Sequence, residues 1–155
     1  MSKEIAARPI GHVRGGRTEP TDDAWDKIEA RIELDPAQFG PDATAGLGEF
    51  SHVEVLTHFH KVAPETIVSG ARHPRGNQEW PKVGIFAQRG KNRPNRIGST
   101  ICALVSVDGL TLSVRGLDAI DGTPVLDIKP VMKGFLPRGD VREPGWAEEL
   151  MKGYW

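Results

Sequence analysis

The sequence predicts an all-β fold, a small antiparallel β-barrel with short peripheral helices. Three observations carry that expectation. Ile28-Glu29-Ala30-Arg31-Ile32-Glu33-Leu34 alternates apolar against charged without a break, as a half-buried strand does. Asp108-Gly109 sits between two further strand-like runs, Ser99 to Val107 and Leu110 to Arg115, and is the strongest hairpin signal in the chain. With 18 Gly and 12 Pro in 155 residues, the composition favours short strands and many turns over long helices. A doubly wound, Rossmann-type sheet is not expected, because no Gly-rich strand-to-helix turn of the dinucleotide or P-loop type occurs.

Taken in order, Ile10 to Val13 opens the sheet and Ile28 to Leu34 follows. Pro36 to Gly48 reads as a polar loop with one helical turn. His52 to Phe59 reads as a strand with Val53, Val55, Thr57 and Phe59 on one side. Ala63 to Pro81 is long and irregular, and Val83 to Gln88 is a short strand. The Ser99–Arg115 hairpin and a strand from Pro124 to Ile128 complete the barrel. The tail differs: Trp146, Leu150 and Met151 share a helical face, with Glu148 and Glu149 near its start, so a short helix is expected within residues 143–155. It would plug the barrel end or pack on a partner subunit.

The length suits a single domain, residues 1–155, large enough to bury a core. The net charge of −1 gives no global field that would draw nucleic acid. Locally the balance is uneven. Residues 72–96 hold Arg72, Arg75, Lys82, Arg89, Lys91, Arg93 and Arg96 against Glu79 alone, whereas residues 18–35 are rich in Asp and Glu. The basic segment is either a solvated face or a phosphate-facing patch. Cys102, the only cysteine, lies in the apolar run Ile101–Val105 and reads as a small core residue, so disulfides within the chain and thiolate zinc clusters are excluded. Without a signal-peptide stretch or an apolar run of the ~20 residues a spanning helix needs, a soluble cytoplasmic protein is expected.

Two runs carry the chemistry. Val83 to Gly98 contains Arg89-Gly90-Lys91-Asn92-Arg93-Pro94-Asn95-Arg96, and Gly116 to Pro130 contains Asp118-Ala119-Ile120-Asp121-Gly122-Thr123-Pro124. Each joins a short apolar strand to a loop dense in aimed donors and acceptors. Pro94 fixes φ, Asn95 tolerates unusual backbone angles and Gly98 permits a close approach. Two guanidinium groups beside so rigid a turn exceed what a structural Ω-loop requires. The expectation is a pocket between two loops, cationic on one side and acidic on the other. His52, His58 and His60 fall on even positions of one expected strand; His-x-His can ligate zinc, but without a third ligand no metal site is assigned. Asp121-Gly122-Thr123-Pro124 also fits an ordinary turn, Asp127 on a strand beside Lys129 fits a structural role, and Trp80 beside the basic segment is a base-stacking candidate without supporting spacing.

These residues resemble the TsaA-like, TrmO-type family of S-adenosylmethionine-dependent methyltransferases. The matching stretches are Arg8-Pro9-Ile10-Gly11-His12-Val13-Arg14, Leu47-Gly48-Glu49-Phe50-Ser51-His52 running on to Phe59-His60, and the two runs above. Arg-x-x-x-Arg-Pro-Asn-x-Ile-Gly together with Asp-Gly-Thr-Pro-x-x-Asp-Ile-Lys-Pro is a specific combination, and the similarity covers about residues 8–137, which would be the domain core. The resemblance implies a small barrel, a homodimer, and S-adenosylmethionine held near the subunit interface. It further implies methylation of N6 of threonylcarbamoyladenosine at tRNA position 37, beside the anticodon. By motif position, the cofactor contacts are expected on His60, Lys61, Arg89, Ser99, Asp118, Ala119, Ile120 and Asp121.

Within that frame, Arg89 suits the methionine carboxylate, and Asp118 and Asp121 suit the ribose hydroxyls, the amino group or the sulfonium. Lys91, Arg93, Asn95 and Arg96 suit the anticodon-loop backbone. No catalytic base is assigned. The chain departs from the family pattern at Arg96 in place of Pro, at Val131 in place of Tyr, at Thr18–Asp23 where a Pro-Arg-Gln segment is usual, and by stopping short of the extension of longer bacterial members. A methyltransferase with another acceptor, or a non-enzymatic module binding S-adenosylmethionine or a nucleotide, is the alternative.

Overall fold

A computed structural model describes residues 2–155. Six strands close into a barrel: β1 (Gly11–Arg14), β2 (Glu29–Leu34), β3 (His52–His58), β6 (Ile97–Asp108), β7 (Thr111–Arg115) and β8 (Pro124–Pro130). Their order around the barrel is β1-β2-β7-β6-β3-β8, and every neighbouring pair is antiparallel. The ring closes through a short β1–β8 seam, and the first half of β6 runs beyond the end of β7. Two short strands, β4 (Ala71–Arg72) and β5 (Val83–Gly84), pair separately outside it.

The alternation seen in the sequence becomes the barrel wall. Val13, Ile32, Val53, Val55, Leu112, Val114 and Val125 are fully buried, and Ala30 and Cys102 complete the packing. Burying each such aliphatic side chain contributes about 1.5–3 kcal/mol relative to leaving it in water. The Glu and Arg residues between Ile28 and Leu34 take the outer face, as their spacing demands. The seam between β1 and β8 pairs only Gly11 with Val125 and His12 with Pro124. Gly11 is required there, because a β-carbon would lie 2.3 Å from the Glu33 carbonyl oxygen of β2.

Strand register decides where the loops meet. Thr57, near the end of β3, faces Gly98 at the start of β6 and Val125 at the start of β8. His12 of β1 pairs with Pro124, so β1 ends at this same rim, and β7 runs toward it. The excursion 59–96, the connector 116–123 and the segment after Arg14 therefore all open at one mouth. A register shift between Leu56 and Thr57 against β8 falls at that rim, where bulges commonly re-aim side chains.

Some elements differ from expectation. The strand foreseen over Val83–Gln88 ends at Gly84 and turns through a 3-10 segment, Ile85–Ala87, because the buried Gln88 amide must reach back to the Arg72 and Val83 carbonyls (3.1 and 2.9 Å). β3 stops at His58, since the Phe59 N–H is taken by the Arg96 carbonyl at 2.9 Å; Phe59 and His60 thus leave the strand's alternation. The tail helix, α1, spans Gly145–Met151, within the 143–155 segment where a short helix is expected. Beyond it the chain returns to the barrel mouth rather than continuing as helix, with Gly153 and Tyr154 carbonyls accepting the Ala24 and Trp25 N–H groups at 3.0 and 2.9 Å. Among the described residues, no helix is long and apolar enough to cross a membrane.

Candidate functional site

The excursion 59–96 is a braced platform. Its neck is closed by the Phe59–Arg96 backbone bond and by Gly98, whose missing β-carbon would sit 2.7 Å from the Phe59 ring and 2.8 Å from Thr57 Oγ1. Inside it, Arg72 Nε donates to Gln88 Oε1 and Nη1 to Asn92 Oδ1, both at 3.3 Å. The Arg72 guanidinium lies over Gly90, where any β-carbon would be 2.4 Å from Nη2. Asn92 in turn reaches Thr66 and receives the Val68 N–H. The Arg-Gly-Lys-Asn-Arg run is thus held from beneath by polar groups.

On that platform Arg89 stays exposed and aims Nη2 at the Ser99 carbonyl, 2.6 Å away. Ser99 donates its hydroxyl to Glu54 at 2.8 Å. Arg93 and Arg96 are half-buried. Arg93 Nη1 donates to the Gln88 carbonyl at 2.7 Å, and Arg96 Nη1 to the Val62 carbonyl at 2.8 Å. Both therefore staple the loop with part of each guanidinium fork. Asn95 and Arg96 occupy the left-handed region at φ 62° and 51°, which is strained for side-chain-bearing residues. Lys91 is half-buried, while Lys61 and Asn95 are exposed.

The acidic wall comes from the 116–123 connector. Leu117, Ala119 and Ile120 are buried and anchor it, so Ala119 and Ile120 offer a ligand only their backbone. Asp118 lies between them and is half-buried; Thr100 Oγ1 of β6 donates to one carboxylate oxygen and the Tyr154 hydroxyl to the other. Asp121 Oδ1 accepts the Gly15 N–H at 2.8 Å, and Thr123 Oγ1 caps the Ile120 carbonyl at 2.7 Å. His60 closes the third side, with Nε2 3.7 Å from where a Gly122 β-carbon would stand. The structure brings Arg89 together with Ser99 on one side, and His60 together with the Asp121–Gly122 turn on the other.

Electrostatics follow from these positions. Burial, then the Lys61 charge, holds the His60 imidazole below its ordinary range; burial, then Arg96, does the same for His58. Both are therefore neutral near pH 7. The Cys102 thiol is pushed up to about 12 by burial and by Asp118, which fits its place in the core. Arg75 pairs with Asp23 at 3.1 Å, so the basic and acidic segments noted in the sequence partly face each other across the mouth. Among the described residues, no group of three or more His, Cys, Asp or Glu side chains is placed to hold a metal ion. Asp127 pairs with Lys129 at 2.6 Å, which fits the structural role expected for it.

Two open depressions, of about 340 and 500 Å³, are lined elsewhere: the first by His12, Arg14, Glu33 and Asp35 among others, the second by Phe39, Leu47, Phe50 and Ile128 among others. Neither includes any residue expected to hold the cofactor. Thr100, Tyr154, Gln88 and Arg72 brace the candidate site yet are not among the site residues expected from the sequence. For Thr100 a signal existed: it shares the inward parity of Cys102, which makes it a hydroxyl facing the barrel interior. Tyr154 gave none beyond being the only tyrosine.

A family model of the tRNA-methyltransferase O N-terminal domain matches residues 18–135. The chain belongs to this family. A probable S-adenosyl-L-methionine-binding protein of Pyrococcus abyssi is 37% identical over 153 residues, covering 94% of this chain and 77% of that protein. Human tRNA (adenine(37)-N6)-methyltransferase is 41% identical over 118 residues, covering 76% of this chain and 25% of the human protein. A crystal structure of TrmO from Pseudomonas aeruginosa matches with a TM-score of 0.72 at 29% identity, over 90% of this chain and 62% of the other. The chain thus spans less than two thirds of that crystallised chain and a quarter of the human protein. Both signature runs fall inside the matched segment, whereas Tyr154, which bonds Asp118, comes from the tail beyond residue 135.

Proposed function

We propose that this chain is an S-adenosylmethionine-dependent methyltransferase acting in the cytoplasm on N6 of threonylcarbamoyladenosine at tRNA position 37. The observation that carries the proposal is the convergence of His60, Arg89 with Ser99, and the Asp118–Asp121 turn on one barrel mouth, in a chain of the tRNA-methyltransferase O N-terminal family. The donor set fits the cofactor: an exposed guanidinium suits a carboxylate, and a carboxylate-bearing turn suits hydroxyls, an ammonium or a sulfonium.

When bound, S-adenosylmethionine would supply an electrophilic methyl group for in-line transfer to the acceptor nitrogen. The chain's own contribution is position and field. Arg89, with one nitrogen already set on the Ser99 carbonyl, presents the rest of its fork to a carboxylate in a fixed direction. Asp118 is oriented by Thr100 and Tyr154, and Asp121 by Gly15, so the negative wall needs no rearrangement to meet a cation. His60 bounds the mouth beside Gly122, its imidazole as a neutral group, and the exposed Lys61 follows it in the chain. Lys91, Asn95 and the remaining N–H groups of Arg93 and Arg96 meet phosphates of the anticodon loop, which places the RNA without reading it.

A homodimer completes the reading. Ile97, Ile101 and Val105 of β6 are 41%, 48% and 53% exposed on the outer barrel face, and Phe86 on the platform is 80% exposed. Apolar exposure along a strand leading to the mouth supports a second copy packing there, with the cofactor near the interface.

The test is incubation of the purified protein with methyl-labelled cofactor and bulk tRNA, followed by mass spectrometry of the nucleosides. Label on N6 of threonylcarbamoyladenosine is expected. Cofactor binding without transfer to any tRNA would favour the non-enzymatic module, and label on another nucleoside would reassign the acceptor.

A further inference from the structure

The C-terminal tail lies outside the segment matched to the family, yet it reaches the centre of the mouth. We infer that Tyr154 is a positioning residue for the cofactor site, acting through Asp118; this rests on the reading that Asp118 faces S-adenosylmethionine.

Two tethers converge on the connector. One is the side chain: the Tyr154 hydroxyl donates to the Asp118 oxygen that Thr100 leaves open. Burial first, then the Asp118 charge, raises the phenol far above its usual range, so it stays a donor at any physiological pH. The other is a backbone relay. Gly153 and Tyr154 carbonyls hold the Ala24 and Trp25 N–H groups; Trp25 is 3% exposed and carries the Arg17 guanidinium 4.0 Å over its ring. Arg17 donates to the Asp23 and Ala24 carbonyls at 2.8 and 2.9 Å, and its own carbonyl accepts the Asp121 N–H at 2.8 Å. Segment 17–25 is thus the one the tail grips. Asp118 and Asp121, the two carboxylates of the wall, are thus each linked to the tail, one directly and one through Arg17.

Tyr154→Phe removes the donor and keeps the ring, and a double-mutant cycle with Asp118→Ala separates positioning from general support. Calorimetry with S-adenosylmethionine is expected to show Tyr154→Phe weakening binding about tenfold, the scale of one hydrogen bond to a charged group. In the Asp118→Ala background, which is itself weakened, Tyr154→Phe should add nothing. Should Asp118→Ala not fold, Asp118→Asn supplies that corner of the cycle. Unchanged affinity in Tyr154→Phe, or equal losses in both backgrounds, overturns the positioning role alone. A wild type that does not bind the cofactor, or an Asp118→Ala protein that binds it undiminished, overturns the underlying site and this inference with it.

Discussion

His60 and Gly122 meet across the barrel mouth, with the imidazole Nε2 3.7 Å from the position of a Gly122 β-carbon and Gly122 itself at φ +85°. Gly122→Ala therefore forces a side chain into the left-handed region and toward His60. A loss of about 1–2 kcal/mol in denaturant unfolding is expected, with weaker cofactor binding. Gly134→Ala is the control: nothing lies within 4 Å of its added carbon and its φ is not positive, so its stability should match wild type within about 0.5 kcal/mol. Equal stability of the two variants would mean the turn does not hold Gly122 as described.

Arg89 is exposed and bonds only one backbone carbonyl, so it contributes little to the fold. Arg89→Ala should leave unfolding within about 0.5 kcal/mol of wild type while reducing S-adenosylmethionine affinity by about tenfold or more, as loss of a charge-assisted fork predicts. Calorimetry showing unchanged affinity would remove Arg89 from the site.

Arg93 and Arg96 each bond a loop carbonyl with one nitrogen and leave others for phosphates. The double substitution of both by Ala should weaken tRNA binding and reduce the slope of log affinity against log salt by about 1–2, one counterion or so per phosphate contact. Binding measured by filter retention from low to moderate salt checks this; an unchanged slope would confine both arginines to bracing the loop.

Tyr154 is the only tyrosine, so phenolate absorbance in an alkaline titration reports on it alone. Its pKa is raised in the folded protein by burial and by Asp118. The folded state then holds its proton more tightly than the unfolded chain, and the stability from this group is full below about pH 10, the usual phenol value, and falls as pH rises past it. Phenolate should appear only together with unfolding. A simple titration near pH 10 with the fold intact would show that the hydroxyl is free of Asp118.

The barrel was legible because strands announce themselves locally. Alternation from Ile28 to Leu34 and the turn at Asp108-Gly109 are short-range signals, and β2, β6 and β7 followed them. Val83–Gln88 misled because its apolar residues look like a strand, while the Gln88 amide bends the chain toward carbonyls at Arg72 and Val83, one of them distant in sequence. His52, His58 and His60 share a parity that ends when Phe59 bonds Arg96, a contact across the whole excursion. The candidate site residues stand out as motifs, whereas most of their partners do not. Thr100 and Asp118 lie on the two arms of the β6–β7 hairpin, in line with its register, whereas Tyr154 arrives from the tail and no local pattern encodes its bond to Asp118.

The central claim is that the platform carrying Arg89 and the connector carrying Asp118 and Asp121 hold one cofactor between them. A crystal structure of the protein soaked with S-adenosylmethionine tests it most directly. Density for the cofactor at the mouth bounded by His60, Arg89 and Asp118–Asp121 is the expected result. Density in the depression lined by Phe39, Leu47 and Phe50, or anywhere away from those two loops, would contradict it.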